Sequence, residues 1–228
     1  MARSTTPVGF RAIEAQPLHE QVQAEIMRAI MSGQVAPGQK LTSRKVAKEL
    51  GTSDMPVRSA FARLQALRAL NAMPNGSMQV PEISIAEFAQ LMGLRELLEA
   101  RATALAAPNI DGNNLRAIRS RCDKLTEAAR EGEIGAYLSR NHDFKFSIYR
   151  HCGDPQLEFF IETLWLRVGP FLRNFGASFE GELSAILEID YHEEAVKALE
   201  AGDGAAAAEA IARDIREGAA HLIARAKG

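Results

Sequence analysis

The sequence predicts a mainly α-helical protein, a winged helix-turn-helix (three helices plus a β-hairpin wing) followed by an all-α bundle of six helices. Apolar residues recur at helical spacing along most of the chain, and the turn residues of a β-hairpin interrupt that pattern near residue 75. Residues 1–80 carry ten Lys or Arg against five Asp or Glu, whereas residues 81–228 carry seventeen against twenty-four. A basic front joined to an acidic remainder is typical of a nucleic-acid-binding module fused to a second domain.

Length and composition narrow the class of protein further. A chain of 228 residues can bury a substantial core as one large or two modest domains. Its two cysteines, Cys122 and Cys152, are too few for a disulfide framework, which favours a reducing compartment. No apolar run approaches the ~20 residues of a membrane span, and no signal peptide opens the sequence. We therefore expect a cytoplasmic protein that does not bind membranes.

The pattern divides the chain into an arm, residues 1–16, a winged helix-turn-helix, residues 17–82, and a helical domain, residues 83–228. The arm lacks hydrophobic periodicity and is expected to be flexible. The first helix is predicted over Leu18–Met31, whose apolar face consists of Leu18, Val22, Ile26, Met27 and Ile30. Gly33 ends this helix, and a Pro-Gly turn at 37–38 leads into a short segment at 40–41.

Residues 42–67 predict two short helices joined by a tight turn. Either Thr42 or Ser43 caps the first helix, and Gly51 suits the left-handed residue that ends it. Either Thr52 or Ser53 caps the second, whose buried stripe is Val57, Ala60, Phe61, Leu64 and Leu67. Pro56 lies in the first turn of this helix, where no backbone donor is lost. The residues left on the outside are Ser53, Asp54, Met55, Arg58, Ser59 and Arg63.

A helix-turn-helix presents its second helix to the DNA major groove in this way. A plain helical hairpin is the alternative for these residues taken alone. Pro74-Asn75-Gly76 predicts the tip of a hairpin between two short strands, which is how a winged helix adds its wing. The wing and the basic charge together favour the DNA-binding interpretation.

From Ser84 onward the pattern predicts only helices, as expected for an all-α bundle. The first is striped by apolar residues from Ile85 to Leu105 and is closed off by Pro108 and Gly112. The other predicted segments are about 114–130, about 135–151, a long helix that starts at Pro155, then 181–201 and 205–227.

Several motifs resemble the GntR family of bacterial transcription regulators, and the remainder resembles the FCD effector domain of its FadR-like branch. The motifs are Ile30–Gly38, Ser43–Ala47, Pro56–Arg58, the wing at Pro74–Gly76, Leu94–Ala100, His151–Pro155 with Leu157, and His192 followed by Gly202-Asp203. The resemblance implies a homodimer that binds a palindromic operator on double-stranded DNA. It also implies a small-molecule effector in the helical domain.

The resemblance also implies which residues contact DNA. Arg44 and Arg58 match the family pattern, and a guanidinium can bond a guanine edge in two places or hold a phosphate. Asp54 and Met55 depart from the pattern of a basic and then a small hydroxyl residue. Asp54 could accept from a cytosine amino group, or simply favour the helix dipole from the first turn. The remaining candidates are Lys45, Lys48 and Arg63 for phosphates, Ser53 at the start of the recognition helix, and Asn75 and Gly76 in the wing.

Many FCD domains hold a divalent metal with an Asp and three His, and here those positions match poorly. They are occupied by Asn141, Lys145, His192 and Asp214, so one ligand of four is kept. Because lysine repels a cation, we expect no metal and no other cofactor, with Lys145 in place of the metal's charge and Asp214 as its counter-ion. A ligand carboxylate at Lys145 would make the effector an organic acid, and Arg95 could be a second cation. The alternative is a solvated Lys145 and a shifted alignment.

The other histidines and the aromatic residues receive simpler interpretations. His142 lies one residue off the ligand face and is expected at the surface. His221 lies seven residues after Asp214 and is a weak spare ligand, while His151 suits a helix C-terminus. The aromatic residues Phe159, Phe160, Trp165 and Phe171 are expected to form core rather than a ligand cage.

Two other classes of protein are weighed against a metabolite-responsive repressor. A helical-bundle metalloenzyme would need Glu-x-x-His pairs, and no Glu here has a His three residues later. Nucleophile elbows and phosphate-cradling glycine loops are also absent from the sequence, so we expect no enzyme activity. An architectural DNA-binding protein without an effector is the second alternative. Metabolite-dependent shifts in thermal melting would separate it from a regulator.

Overall fold

The computed structural model describes residues 18–176 and 190–225. In chain order the described elements are α1 (Leu18–Met31), β1 (Lys40–Leu41), α2 (Ser43–Glu49), α3 (Asp54–Ala66), β2 (Asn71–Ala72), β3 (Met78–Gln79), α4 (Ile85–Ala106), α5 (Gly112–Glu131), α6 (Ile134–Tyr149), α7 (Pro155–Gly176), α8 (Tyr191–Glu200) and α9 (Gly204–Arg225). A short 3-10 turn, Ala107–Asn109, follows α4. The mainly helical fold and the order of its elements are confirmed.

The first three helices form the predicted helix-turn-helix unit. The side chain of Thr42 accepts from the backbone N–H of Lys45 at 3.4 Å and caps α2, which decides between the two predicted caps. Gly51 adopts the left-handed conformation, with φ of 63°, and turns the chain into α3. Ser53 occupies the cap position of α3, although its side chain makes no capping hydrogen bond. Helix α3 packs on α1 and α2 through the predicted apolar stripe, Val57, Ala60, Phe61 and Leu64.

Three two-residue strands form a small antiparallel sheet in the order β1-β3-β2. Gln79 in the central strand faces Lys40 on one side and Asn71 on the other. At the hairpin tip Gly76 has φ of 77°, and the Asn75 side chain accepts from the backbone N–H of Ser77 at 3.1 Å. The wing is therefore confirmed, and it gains a third strand from the segment before α2.

The six bundle helices of the described ranges are arranged around α4. This helix packs against α6, α7 and α9, while α5 pairs with α6 and α8 pairs with α9. Helix α5 begins two residues before its predicted start, because Asp111 accepts from the N–H of Asn114 at 2.8 Å and caps it. The predicted N-terminal arm and the predicted helix start at 181–189 lie outside the described residues.

Two expectations about side-chain burial are wrong. Phe159 and Phe160 of α7 are 39% and 54% exposed, whereas Trp165 on the same helix is 1% exposed and belongs to the core. The buried face of α7 is already filled by residues at helical spacing, including Ile161 and Val168, so the neighbouring positions face outward. His142 is buried rather than exposed, because α6 packs against α4, α5 and α7 at once and therefore buries more than one face.

The DNA-binding unit and the bundle meet where α7 lies against the end of α1. At Gly169 a Cβ atom would lie 2.5 Å from the carbonyl oxygens of Ile30 and Met31, so only glycine allows this approach. Arg167, two residues earlier, forms an ion pair with Glu87 of α4. None of the described helices is long and apolar enough to cross a membrane.

Candidate DNA-binding surface and effector cavity

The outer face of α3 carries most of the residues predicted to contact DNA. Met55 is 73% exposed, and the Arg58 side chain is 61% exposed. Ser53 and Asp54 stand at the N-terminus of the helix. The opposite face of α3 packs in the core. The helix can therefore present these side chains to a DNA groove without any rearrangement of the domain.

Asp54 and Arg58 form an ion pair one helical turn apart. The Ser43 hydroxyl and the Arg58 guanidinium hold the pKa of Asp54 below its usual range, and the positive charge of Arg44 adds to this effect. Asp54 therefore lies beside both arginines that match the family pattern. Its carboxylate is paired with the Arg58 guanidinium and partly neutralises it, which favours the helix-start role over the alternative contact with a cytosine amino group.

The other predicted DNA-binding residues surround this helix. Arg44, Lys45 and Lys48 are exposed on α2, and Lys45 lies 4.0 Å from Glu49, a distance at which a surface pair contributes little. Asn75 and Gly76 are exposed at the tip of the wing. Arg63 is exposed as well, but it donates to Gln23 of α1 at 3.4 Å and so stands at the edge of the surface.

The bundle contains a cavity of about 120 Å³ between α4, α6, α7 and α9. Its described lining is apolar along one side and polar at one end. The polar members are Arg95, Tyr137, Asn141, Lys145, Asp214 and His221. Four of the five residues predicted for the effector site therefore line one cavity, and the fifth, His192, lies behind Asp214 without lining it.

Lys145 is the centre of the polar end. Its side chain is 1% exposed, and its Nζ lies 2.6 Å from Oδ2 of Asp214 and 4.0 Å from Oε2 of Glu99. The Nε2 atom of His192 lies 3.5 Å from the other oxygen of Asp214. The predicted pairing of Lys145 with Asp214 is therefore present in the structure, and the alternative of a solvated lysine does not apply.

Arg95 is held by a partner that sequence analysis did not assign to the site. The Nε of Arg95 donates to Oε1 of Glu99 at 2.6 Å, and its guanidinium stacks 4.0 Å from the ring centre of Trp165. Glu99 is completely buried and also accepts from the hydroxyl of Tyr149 at 2.6 Å and the indole N–H of Trp165 at 2.9 Å. The signal for Glu99 was its i,i+4 spacing from Arg95 on the otherwise apolar face of α4.

The charges of this cluster follow from its contacts. Although burial alone would raise it, the pKa of Asp214 is held well below its usual range by His192 and Lys145. Burial lowers the pKa of His192 by more than the neighbouring Asp214 raises it. At neutral pH the cluster therefore contains a charged aspartate and an uncharged imidazole.

These residues do not fit a divalent metal. The ammonium of Lys145, 2.6 Å from Asp214, takes the place a cation would need, and it offers donors only. Within residues 18–176 and 190–225, no group of three or more His, Cys, Asp or Glu could hold a metal ion.

Three buried polar atoms in and around this cluster have no hydrogen-bond partner among the described residues. One is Oδ1 of Asn141, which belongs to a cavity-lining side chain. A second is Nε2 of His192, which lies 3.5 Å from Asp214. The third is Nε2 of His142, whose ring lies 4.5 Å from Phe146 and 5.7 Å from Trp165 between ring centres. His142 packs as an aromatic core residue and does not line the cavity, whereas Asn141 offers an unmet acceptor to a ligand.

Two protein-family models match the chain. The model described as "Bacterial regulatory proteins, gntR family" covers residues 18–80, and the "FCD domain" model covers residues 90–217. One curated relative, the HTH-type transcriptional regulator McbR of Escherichia coli K12, is 32% identical over 152 residues, which is 67% of this chain and 69% of the relative. A "Probable D-xylose utilization operon transcriptional repressor" of Paenarthrobacter nicotinovorans is 27% identical over 206 residues, 90% of this chain and 88% of the relative.

The solved structure of E. coli McbR/YncC superposes with a TM-score of 0.84 at 28% identity, covering 92% of this chain and 99% of that one. A winged helix-turn-helix joined to a helical ligand-binding domain defines a class of one-component transcription regulators. The chain belongs to the GntR family of that class and carries an FCD effector domain. It is thus a metabolite-responsive DNA-binding regulator and not an enzyme.

Proposed function

We propose that the chain is a repressor that holds a palindromic operator as a homodimer and releases it when a small molecule fills the cavity beside Lys145. The observation that carries this proposal is the placement of α7. This helix borders the cavity at Leu172 and contacts the DNA-binding unit at Gly169, one turn away. Occupation of the cavity can therefore bias the position of α1, on which the recognition helix packs.

Repression, rather than activation, is supported by the relative whose printed name is a transcriptional repressor of a D-xylose utilization operon. We assign the base-reading role to Arg58 and Arg44, with Ser53 and Met55 beside them on α3. Phosphate contacts are assigned to Lys45, Lys48 and the wing tip at Asn75 and Gly76. A two-fold dimer places its half-sites about one helical turn apart or a little more.

The dimer is supported by an exposed apolar strip on α4. Leu94 and Leu97 are 49% and 69% exposed, and Gly93 on the same face leaves open space for close approach. Single exposed leucines are common, but two adjacent ones on a long bundle helix make a surface that a second copy would cover. We place the dimer contact on this strip.

We further propose that the cavity works without a divalent metal, with the Lys145 ammonium supplying the positive charge. Elemental analysis of the purified protein tests this directly. We expect no stoichiometric metal, and one zinc-like or nickel-like ion per chain would overturn it.

The effector role of the cavity is tested by blocking it. Gly218 of α9 lines the cavity and has no atom within 4 Å of where its Cβ would stand, so Gly218→Leu fills free space. Gly135 of α6 is equally open but does not line the cavity, which makes Gly135→Leu the matched control. In a metabolite thermal-shift screen, compounds that raise the melting temperature of the parent should also release its mapped operator.

Such compounds should act on Gly135→Leu and fail on Gly218→Leu. If a compound releases the operator equally from the parent, Gly218→Leu and Gly135→Leu, the effector does not bind in this cavity. Operator binding that no metabolite alters would instead favour an architectural role.

A further inference from the structure

The polar end of the cavity is balanced in charge before any ligand enters. Two cations, Arg95 and Lys145, face two carboxylates, Glu99 and Asp214. Each cation has a carboxylate oxygen at 2.6 Å. Glu99 does not line the cavity. Its side chain is 0% exposed and lies 4.0 Å from Lys145, so its negative charge acts on the same cluster.

A ligand carboxylate would break this balance. It would leave the polar end with one negative charge more than its cations can match, and an unmatched charge among buried side chains disfavours binding. The sequence-based expectation of an organic acid paired Lys145 with Asp214 but did not include the negative charge of Glu99. In the structure the Lys145 ammonium forms an ion pair with Asp214, and Glu99 lies 4.0 Å from the same ammonium.

The hydrogen-bonding need of the cavity is specific. Of the unpartnered buried atoms named above, Oδ1 of Asn141 belongs to a residue that lines the cavity, and it is an acceptor, so the group that meets it is a donor. Tyr137 lines the same space, and burial, together with the negative charge of Asp214, raises the pKa of its hydroxyl.

The rest of the cavity sets the size and the body of the ligand. A cavity volume of about 120 Å³ is large enough to hold several water molecules or one small organic molecule. The remaining described lining is apolar and consists of Met92, Ile134, Leu138, Leu172, Ile215, Gly218 and Leu222. A small molecule with an apolar body and one polar end would match both regions.

We infer that the effector is a small uncharged molecule with an apolar body and one hydrogen-bond donor group, an alcohol or a primary amide, that meets the side chain of Asn141. This inference rests on the proposed effector role of the cavity. It concerns only the chemical class that the cavity accepts.

Four probes with the same carbon skeleton test it: butan-1-ol, butyramide, butyrate and butylammonium. Affinities are taken from the dependence of the melting temperature on probe concentration. For the parent we expect butan-1-ol and butyramide to bind at least about tenfold more tightly than either charged probe. For Asn141→Leu the affinity for the two uncharged probes should fall about tenfold, because their donor group loses its acceptor.

Two charge variants make the test independent of any general preference for uncharged probes. Asp214→Asn leaves one cation unmatched, so butyrate should become the tightest probe. Lys145→Met leaves one carboxylate unmatched, so butylammonium should become the tightest. Circular dichroism and operator binding establish that each variant is folded before it is compared.

The contrary results are distinct. If butyrate binds the parent more tightly than butan-1-ol and Gly218→Leu abolishes that binding, the effector cavity stands and the uncharged class is wrong. If none of the four probes binds the parent, the inferred class is also wrong. The proposed function is then still judged separately, by the metabolite screen with Gly218→Leu and Gly135→Leu.

Discussion

The Lys145 ammonium lies 2.6 Å from the carboxylate of Asp214 and joins α6 to α9. The same carboxylate is 3.5 Å from His192, so α8 meets the other two helices at one point. A buried ion pair is weak evidence for stability, because replacing both partners by apolar residues is often neutral or stabilising. The pair, which borders a cavity, is therefore better explained by ligand selection than by support of the fold.

Removing one partner of this pair should lower the free energy of unfolding far more than removing both charges. We expect Lys145→Met to lower the free energy of unfolding by roughly 3–5 kcal/mol, because Asp214 then keeps a charge without a cation. The double variant Lys145→Met with Asp214→Asn should recover most of that loss. Urea denaturation measures both, and a double variant no more stable than the single one would show that packing rather than charge is responsible.

The pH dependence of folding should report on His192. Burial lowers the pKa of His192 from the ordinary value of 6.5. Below pH 6.5 this histidine is therefore protonated in the unfolded chain but stays neutral in the folded protein until the pH reaches its lowered pKa. Stability should therefore be complete above about pH 6.5 and fall as the pH drops towards the lowered folded-state pKa.

The corresponding measurement compares urea midpoints at about pH 7.5 and about pH 5.5. His192→Gln should lose part of the acid sensitivity seen in the parent. His19→Gln, which changes an exposed histidine of α1, is the control and should behave like the parent. Identical pH dependence in the parent and His192→Gln would rule out this histidine as a source of acid sensitivity.

The elements of this fold could be predicted from sequence because their signals are local. Helix α1 follows from a single apolar stripe, and the wing follows from Pro74-Asn75-Gly76. Residue burial was harder to predict, because it depends on how many neighbours a helix touches. His142 is buried only because α6 packs against three helices, a fact that one-dimensional periodicity does not contain.

Some residues of the candidate site could be predicted from the sequence, and others could not. Asn141, Lys145, His192 and Asp214 were found through the family resemblance, and the structure brings them together. Glu99 was missed as a site residue, because its contacts with Trp165 and Tyr149 join positions 66 and 50 residues away in the chain. The charge balance from which we infer an uncharged ligand depends on Glu99, so it could not be derived before the structure.

Arg58 is expected to carry operator affinity. Arg58→Ala should weaken binding to a mapped operator by roughly 1–3 kcal/mol, because a guanidinium on the outer face of α3 is lost. Arg130→Ala, which changes an exposed arginine of α5 outside the DNA-binding unit, is the control. Titrations by fluorescence anisotropy give the two affinities, and equal retention of parent and Arg58→Ala on the operator would refute the assignment.

The apolar strip on α4 predicts how the dimer can be broken. Leu97→Glu puts a charge on a side chain that is 69% exposed in one chain and covered in the proposed dimer. We expect the variant to fold and to become a monomer with reduced operator affinity, since the two half-sites are no longer bound together. Lys124→Glu, on the exposed side of α5, is the control. Light scattering after size-exclusion chromatography gives the mass of each variant. If Leu97→Glu remains a dimer that dissociates no more readily than the parent, the dimer contact does not include this strip.

The contact of α7 with α1 should be sensitive to a single methyl group. In Gly169→Ala the new Cβ would lie 2.5 Å from the carbonyl oxygens of Ile30 and Met31, so the helices must separate. Overpacking of this kind costs about 1–3 kcal/mol. Gly135→Ala, also inside a helix but with open space around its Cβ, should instead stabilise the protein by about 0.5–1 kcal/mol.

The same pair of variants tests whether α7 transmits the effector signal. Leu172 lines the cavity one turn after Gly169, so a helix pushed away from α1 should respond to the ligand without passing the change to α3. We expect Gly169→Ala to keep the thermal shift caused by an effector while losing most of the effector's influence on operator affinity. Gly135→Ala should retain both. If Gly169→Ala releases the operator with the same ligand dependence as the parent, the signal travels by a route other than this contact.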